Sequence, residues 1–149
     1  NLRICGGLAR MTVEAMSQER GIDQCMRRKV LIVEDNDLNM KLFNDLLEAH
    51  GYNTLQTKDG VEALRMARLH RPDLILMDIQ LPGLDGYEAT RRIKAIPALA
   101  RVPVIAVTSY ALSGDDKKAF AAGCDDYVTK PFSPRHLLAT VTEVLEQAA

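Results

Sequence analysis

The sequence predicts an α/β fold, a five-stranded parallel sheet with helices on both faces. From Lys29 onward, strand-like and helix-like segments alternate five times. Residues 30–33 and 74–77 are apolar throughout, which is typical of central strands that helices cover on both faces. The segments between the strands carry apolar residues at helical spacing. Together these observations indicate a doubly wound parallel sheet.

Five strands are predicted, at residues 30–33, 54–57, 74–77, 104–107 and 127–128. Four of them are short runs rich in apolar or β-branched side chains. The second is weaker, with fewer apolar residues, which favours a position near the edge of the sheet.

Helices fill the intervals between these strands and follow the last one. Pro72 and Pro97 are expected to end the second and third helices, and Gly51 and Gly123 to end the first and fourth. The predicted pairs of N-cap and N3 residues are Asp59 with Glu62, Asp85 with Glu88, and Ser113 with Asp116; Ser133 and Pro134 begin the last helix. The predicted buried helix faces are Leu38, Leu42, Phe43, Leu46 and Leu47 in the first helix, Val61, Leu64 and Ala67 in the second, and Leu137, Leu138, Val141, Val144 and Leu145 in the last.

Length and composition indicate one ordinary globular domain. The chain has 149 residues, 47% of them hydrophobic, and a net charge of −1. That balance gives no electrostatic footprint for nucleic acid, and no stretch reaches the ~20 apolar residues that span a membrane. We therefore expect a cytoplasmic protein. Residues 1–26 have no clear period and are predicted to be a poorly ordered extension, tag or tail, with residues 27–149 as the domain.

Polar residues that can carry chemistry follow four of the five predicted strands. Glu34 and Asp35 follow the first, Asp78 the third, Thr108 the fourth and Lys130 the fifth. Because ligands of open parallel sheets bind beyond the carboxyl ends of the strands, we expect these side chains to share one crevice.

This set of groups favours metal-assisted phosphoryl transfer to a carboxylate. Crowded carboxylates repel one another, and a hard divalent cation such as Mg²⁺ relieves that repulsion. A carboxylate can itself be the nucleophile that forms an aspartyl phosphate. Each residue alone also has a structural explanation, since the segment 34–37 reads as a polar turn with a helix cap. The joint placement at four strand ends favours the functional interpretation.

Four longer motifs surround the strand ends: Val33-Glu34-Asp35-Asn36, Met77-Asp78-Ile79-Gln80-Leu81-Pro82-Gly83-Leu84-Asp85-Gly86, Ala106-Val107-Thr108-Ser109 and Tyr127-Val128-Thr129-Lys130-Pro131-Phe132. With these motifs, residues 29–146 resemble the CheY-like receiver family of response regulators. The resemblance implies a flavodoxin-like sheet with strand order 2-1-3-4-5. One departure is Glu34, because many members have aspartate there.

The resemblance implies a role for each matching residue. Asp78 is the phosphoacceptor, and Thr108 and Lys130 hold the phosphoryl group. Thr108 and Tyr127 form a switch pair, and the bond before Pro131 is expected to be cis. Mg²⁺ or Mn²⁺ is expected to be held by Asp35, Asp78 and the backbone carbonyl of Gln80, with Glu34 acting through a water molecule.

The stretch 34–43 further resembles single-domain regulators of cell cycle and polarity in alphaproteobacteria. That resemblance implies a switch protein rather than an enzyme, one that assists only its own phosphorylation and dephosphorylation. Its partners would be a histidine kinase or phosphotransfer protein and a downstream protein bound through the fourth helix, fifth strand and fifth helix. Recruitment to a cell pole, without membrane or nucleic-acid binding, is also implied. The receiver of a hybrid histidine kinase and a chemotaxis-type regulator remain alternatives.

Two other classes of protein fit part of the pattern. Asp35 and Asp37 match the Asp-x-Asp motif of haloacid dehalogenase-like phosphatases, and Asp125 with Asp126 would supply the later acidic motif. In those phosphatases the lysine precedes the later acids, whereas Lys130 follows them here, and Asp78 would have no role. A binding module without phosphorylation would not need the complete set of acid, hydroxyl and lysine. A flavin or nucleotide carrier is disfavoured because no Gly-rich loop follows any strand.

Overall fold

The computed structural model describes residues 27–81, 83–109 and 115–148, in which strands and helices alternate along the chain. The predicted N-terminal extension and Ser113 lie outside these residues. A short 3₁₀ helix, Pro97–Leu99, follows the third α-helix. The elements are β1 (Lys29–Val33), α1 (Asp37–Ala49), β2 (Asn53–Thr57), α2 (Gly60–His70), β3 (Leu74–Asp78), α3 (Gly86–Ala95), β4 (Val104–Thr108), α4 (Asp115–Ala122), β5 (Asp126–Thr129) and α5 (Pro134–Ala148).

The five strands form one parallel sheet in the order β2-β1-β3-β4-β5. This confirms the predicted fold and strand order. The weak strand β2 lies at an edge, as its composition predicted. All the carboxyl ends of the strands lie at one edge of the sheet, which we call the carboxyl edge, and the opposite edge is the amino edge.

Alternate residues of each central strand enter two separate cores, because successive side chains of a strand point to opposite faces. Leu31 and Ile75 pack against α2, α3 and α4 on one face. Ile32 and Leu76 pack against α1 and α5 on the other face. Helices therefore cover both faces of the sheet.

The predicted buried face of α1 is wrong at two positions. Leu38 and Leu42 are 68% and 49% exposed, whereas Met40, Phe43 and Leu47 are buried. At 3.6 residues per turn, both leucines lie about 160° around the helix from Met40. Val61 of α2 is 59% exposed for the same reason, since Ala63 and Ala67 form the buried face of that helix.

The helix starts are capped largely as predicted. Asp59 accepts from the Val61 N–H, and Asp85 accepts from the Glu88 N–H. The reciprocal bond of a capping box is not formed at α2, because the Asp59 N–H donates to the Thr57 hydroxyl and the Glu62 carboxylate pairs with an arginine. The side chains of Asp59 and Asp85 nevertheless satisfy the first free amides of their helices.

Lys94, in the last turn of α3, ties several elements together at the amino edge. Its ammonium group donates to the Val102 carbonyl at 2.6 Å and to Asp125 Oδ2 at 3.1 Å. The same carboxylate oxygen accepts the N–H of Val104 at 2.9 Å. These bonds join the end of α3, the start of β4 and the segment between α4 and β5. No helix among the described residues is long and apolar enough to cross a membrane.

Candidate functional site

The ends of β1, β3, β4 and β5 meet at the carboxyl edge. Lys130 Nζ lies 3.1 Å from Glu34 Oε1 and 3.5 Å from Asp78 Oδ2. The Lys130 N–H donates to the Thr108 carbonyl at 2.7 Å, which fixes the end of β5 beside the end of β4. Residues separated by up to 96 positions in sequence are thus brought into one site.

Asp78 is the last residue of β3, and its side chain lies at the floor of the site. It is only 2% exposed. Its Oδ1 accepts the Gln80 N–H at 3.0 Å, and its Oδ2 faces Lys130. One carboxylate oxygen is therefore held by the backbone, while the other faces the ammonium group.

Glu34 is 1% exposed and directly follows β1. The pKa of this carboxyl group is raised to about 7, first by burial and then by a hydrogen bond and charge repulsion from Asp78, while Lys130 acts to lower it. Oε2 accepts the Asn36 N–H, but Oε1 is buried without a hydrogen-bond partner among the described residues. The contact of Oε1 with Lys130 is thus electrostatic, because it does not meet hydrogen-bond geometry.

The acidic cluster fits a hard divalent cation. One carboxylate oxygen from each of Glu34, Asp35 and Asp78 lies within 4.8 Å of the others. Asp35 is exposed, so the cluster is open to solvent on its side. The unpartnered Glu34 Oε1 supplies a buried oxygen that lacks a donor. Oxygen ligands of this kind suit Mg²⁺, which retains several water molecules when bound.

The other predicted site residues lie around these acids. Thr108 ends β4 and is buried. The Lys130–Pro131 peptide bond is cis. Tyr127 is half-buried in β5, with its ring edge-to-face against Phe120 at a centroid distance of 6.0 Å. The Gln80 N–H contacts Asp78, which places this residue directly beside the acid.

Asp37 is directed away from the acidic cluster. Its carboxylate pairs with Lys58, which lies just after β2. An Asp-x-Asp phosphatase would use Asp35 and Asp37 together, whereas here Asp35 groups with Glu34 and Asp78. The geometry therefore favours Asp78 over the Asp35–Asp37 pair as the centre of the site.

Gly86 is a site residue that the sequence reasoning treated only as part of a motif. A Cβ atom added there would lie 2.3 Å from the Asp78 carbonyl oxygen and 2.7 Å from Ile79 Cα. The Gly86 N–H also donates to the Ile79 carbonyl. The start of α3 therefore packs directly on the backbone that carries Asp78. In the sequence, the only sign of this close packing is that a glycine directly follows the predicted N-cap residue Asp85.

A cleft of about 420 Å³ adjoins the site, and we call it the Lys130 cleft. Phe132 forms one wall and stacks on Phe43 at a ring-centroid distance of 4.7 Å. The exposed Leu42 of α1 also lines the cleft. The full lining is Asn39, Leu42, Ser109, Lys130, Pro131, Phe132 and Pro134.

Comparison with known proteins gives a consistent picture. Residues 30–142 match the family model of the response regulator receiver domain. The chain is 51% identical over 123 residues to the polar-differentiation response regulator DivK of Brucella anthropi, which covers 83% of this chain and all of that protein. DivK of Brucella ovis is 50% identical over the same length.

Solved structures show the same architecture. The receiver domain of the sensor histidine kinase PA1611 from Pseudomonas aeruginosa is 41% identical, with a TM-score of 0.76 over 80% of this chain and 98% of that one. That structure has a magnesium ion coordinated in its active-site cleft. The Vibrio cholerae chemotaxis protein CheY4 is 28% identical, with a TM-score of 0.76 over 79% and 98% of the two chains.

Proposed function

This chain belongs to the response regulator receiver domain family, and from that premise we propose that Asp78 is its phosphoacceptor. The observation that carries the proposal is the placement of Asp78 at the floor of the acidic cluster, with Oδ2 facing the Lys130 ammonium group at 3.5 Å. An Asp78 oxygen would form the new bond to phosphorus. The bond from phosphorus to a histidine nitrogen of the donor protein would break, returning the electron pair to the imidazole.

Lys130 and Thr108 are proposed to hold the transferred group. Lys130 already lies between Glu34 and Asp78, so its charge is positioned to meet phosphoryl oxygens as a point charge. Thr108 ends the neighbouring strand, and its hydroxyl can donate a hydrogen bond to the same group. The buried backbone bonds at the ends of β3, β4 and β5 keep these groups in place before the donor arrives.

Glu34, Asp35, Asp78 and the backbone carbonyl of Gln80 are the proposed holders of Mg²⁺ or Mn²⁺. When bound, such an ion supplies positive charge that neutralises the phosphoryl oxygens in transit. The three carboxylates lie close together, and burial followed by the neighbouring Asp78 raises the pKa of Glu34. The buried Glu34 Oε1, which accepts no hydrogen bond from the described residues, and the preference of Mg²⁺ for oxygen ligands support the assignment.

Phosphorylation is proposed to act on the surface formed by α4, β5 and α5. A phosphoryl group adds charge beside Thr108 and Lys130 and biases a two-state element toward a binding-competent form. Tyr127 lies on β5, between the site and α4, and contacts Phe120 of α4. A change in the Thr108 hydroxyl would therefore be transmitted through Tyr127 to the surface that a downstream protein binds.

The phosphoryl donor is proposed to dock over the Lys130 cleft. The cleft opens beside the acceptor and joins an exposed part of α1 that includes Leu38 and Leu42. A helical face of a histidine kinase or phosphotransfer protein suits such an apolar surface. The similarity to DivK supports a role in cell-cycle and polarity control, including recruitment to a cell pole by partners.

Intact mass spectrometry after incubation with acetyl phosphate tests the proposal. We expect a single phosphoryl adduct on the wild type that requires Mg²⁺ and is absent from Asp78→Asn. Asp37→Asn is the matched control, because it removes an acid from the same edge that pairs with Lys58 and not with the cluster. That variant should be labelled like the wild type.

Two outcomes would contradict the assignment. Asp78→Asn could still carry an adduct. If adding Asp35→Asn or Asp37→Asn to that variant then removed the adduct, the result would indicate a phosphatase-like site. If neither acetyl phosphate nor a phosphorylated histidine donor gave an adduct, the chain would instead be a binding module that is not phosphorylated.

A further inference from the structure

The amino edge of the sheet, opposite the phosphorylation site, carries a concentration of positive charge. Exposed cations arise here from three separate parts of the chain: the start of β1, the end of α2 and the segment before β4. They line an open cavity of about 630 Å³, which we call the basic trough. Its cations are Arg27, Arg28, Lys29, Arg71 and Arg101, and its other lining residues are Pro72, Asp73, Val102, Pro103, Leu145 and Ala148.

The positive charge of the trough is not neutralised by the described part of the chain. None of the four guanidinium groups lining the trough takes part in an ion pair between described residues. By contrast, Arg65, Arg91 and Arg92 on the helix surfaces are all paired with glutamates. Among the described residues that line the trough, Asp73 is the only acid, and its Oδ2 accepts the backbone N–H of Lys29.

Arg71 occupies a backbone position that does not favour an arginine. It follows α2 with φ 48° and ψ 68°, in the left-handed region where glycine is the usual residue. It is the only described non-glycine residue with positive φ. Its backbone N–H donates to the Ala67 carbonyl, and glycine can adopt the same conformation, so Arg71→Gly removes the cation without adding backbone strain.

The trough continues into a second groove, of about 360 Å³, with which it shares Arg27, Arg28 and Leu145. The second groove extends to Tyr52 and Glu146. The charges are therefore spread along an elongated channel and do not converge on one point. Prolines and aliphatic side chains form its apolar lining between the cations.

We propose that the basic trough binds an extended acidic peptide segment of a partner protein. Planar guanidinium groups pair with carboxylates in a bidentate manner, and dispersed carboxylates suit dispersed arginines. A compact phosphate ligand is disfavoured, because the cations are spread along the channel and do not converge on one point. A long nucleic acid is disfavoured by the net charge of −1 for the whole chain.

Stabilisation of helix ends is the competing explanation for these cations. It applies to Arg28, which donates to the Leu145 carbonyl, and to Lys29, which donates to the His70 carbonyl. The side chains of Arg71 and Arg101 donate no hydrogen bond to any described residue. Substituting these two arginines should therefore change peptide affinity without removing a hydrogen bond that stabilises the fold.

Fluorescence anisotropy with a labelled dodecapeptide of alternating glutamate and alanine tests the proposal at low ionic strength. The edge variant is Arg71→Gly with Arg101→Ala. The control variant is Arg91→Ala with Arg92→Ala, which removes the same two charges from a surface where both arginines are already paired. We expect the edge variant to bind about ten-fold more weakly and the control to bind like the wild type.

Two further measurements complete the test. The thermal midpoint of the edge variant should equal or exceed that of the wild type, because glycine relieves the left-handed strain. Asp78→Asn should bind the peptide like the wild type, so failure of the phosphoacceptor assignment leaves this proposal standing. The proposal would be overturned if both double variants lost peptide affinity equally, or if the wild type did not bind the peptide. A thermal midpoint lowered in the edge variant alone would also overturn it. Tighter binding of an oligonucleotide of equal charge would also overturn it.

Discussion

Replacing Glu34 with glutamine should stabilise the metal-free protein at alkaline pH. The carboxyl group is buried beside Asp78, and its pKa is raised from 4.5 to about 7. Between these values the unfolded chain has lost the proton while the folded protein keeps it. The unfolded state then binds fewer protons, so the free energy of unfolding falls as pH rises through this range.

The size of the effect follows from the same two values. A difference between 4.5 and about 7 corresponds to about 3 kcal/mol at full ionisation. Glutamine keeps nearly the same shape and cannot ionise. The gain of Glu34→Gln should therefore be small near pH 5 and should reach about 3 kcal/mol near pH 8, or about 10 °C in thermal midpoint for a domain of this size.

Thermal and urea unfolding of both proteins in a metal chelator, across this pH range, measures the effect. Asp37→Asn serves as control, because its exposed acid pairs with Lys58 outside the cluster. Saturating Mg²⁺ should reverse the order of stability, since ligand binding to the folded wild type adds stability that the variant forgoes. In an Asp78→Asn background the gain should shrink, because Asp78 contributes two of the causes that raise the Glu34 pKa. A gain that does not vary with pH, or a loss near pH 8, would refute the reasoning.

Three other predictions concern the same end of the molecule. Gly86→Ala should destabilise the fold by about 3 kcal/mol in urea unfolding, because its Cβ would lie 2.3 Å from the Asp78 carbonyl oxygen; an unchanged midpoint would contradict the close packing. Leu42→Asp should slow phosphoryl transfer from a protein donor at least ten-fold while labelling by acetyl phosphate continues, and equal slowing of both would show that the Lys130 cleft is not the docking surface. Tyr127→Ala and Thr108→Ala should still be labelled but should lose phosphorylation-dependent binding of the downstream protein in a pull-down; unchanged binding would exclude the switch pair.

The strands and their order could be predicted because burial on both faces leaves a strong signal in sequence. The run ending at Asp78 is apolar until the acid appears, and that interruption pointed to the residue that we propose as the phosphoacceptor. The grouping of the acids could also be predicted, because each follows a strand and parallel strands all end at the same edge of the sheet. The strand order came from the family resemblance and not from the pattern.

The helix faces and the fine geometry could not be predicted in the same way. Leu38 and Leu42 were assigned to the core because leucine is usually buried, although the helix turns them away from Met40. The exclusion of a side chain at Gly86 depends on how closely α3 approaches β3. The contact of Lys130 with Glu34 joins residues 96 positions apart, and only the assembled sheet sets their separation.

The bonds of Lys94 give the two ends of the molecule unequal freedom to move. They fasten the end of α3 and the segment that follows α4 to the start of β4. A Cβ atom added at Gly123, just after α4, would lie 3.1 Å from Lys94 Cγ, so the chain passes close to the lysine there. A helix held at one end can only pivot, so its displacement grows with distance from the fixed point. A small shift at the carboxyl edge is therefore expected to displace the start of α4 more than its end, which lies next to the segment held by Lys94.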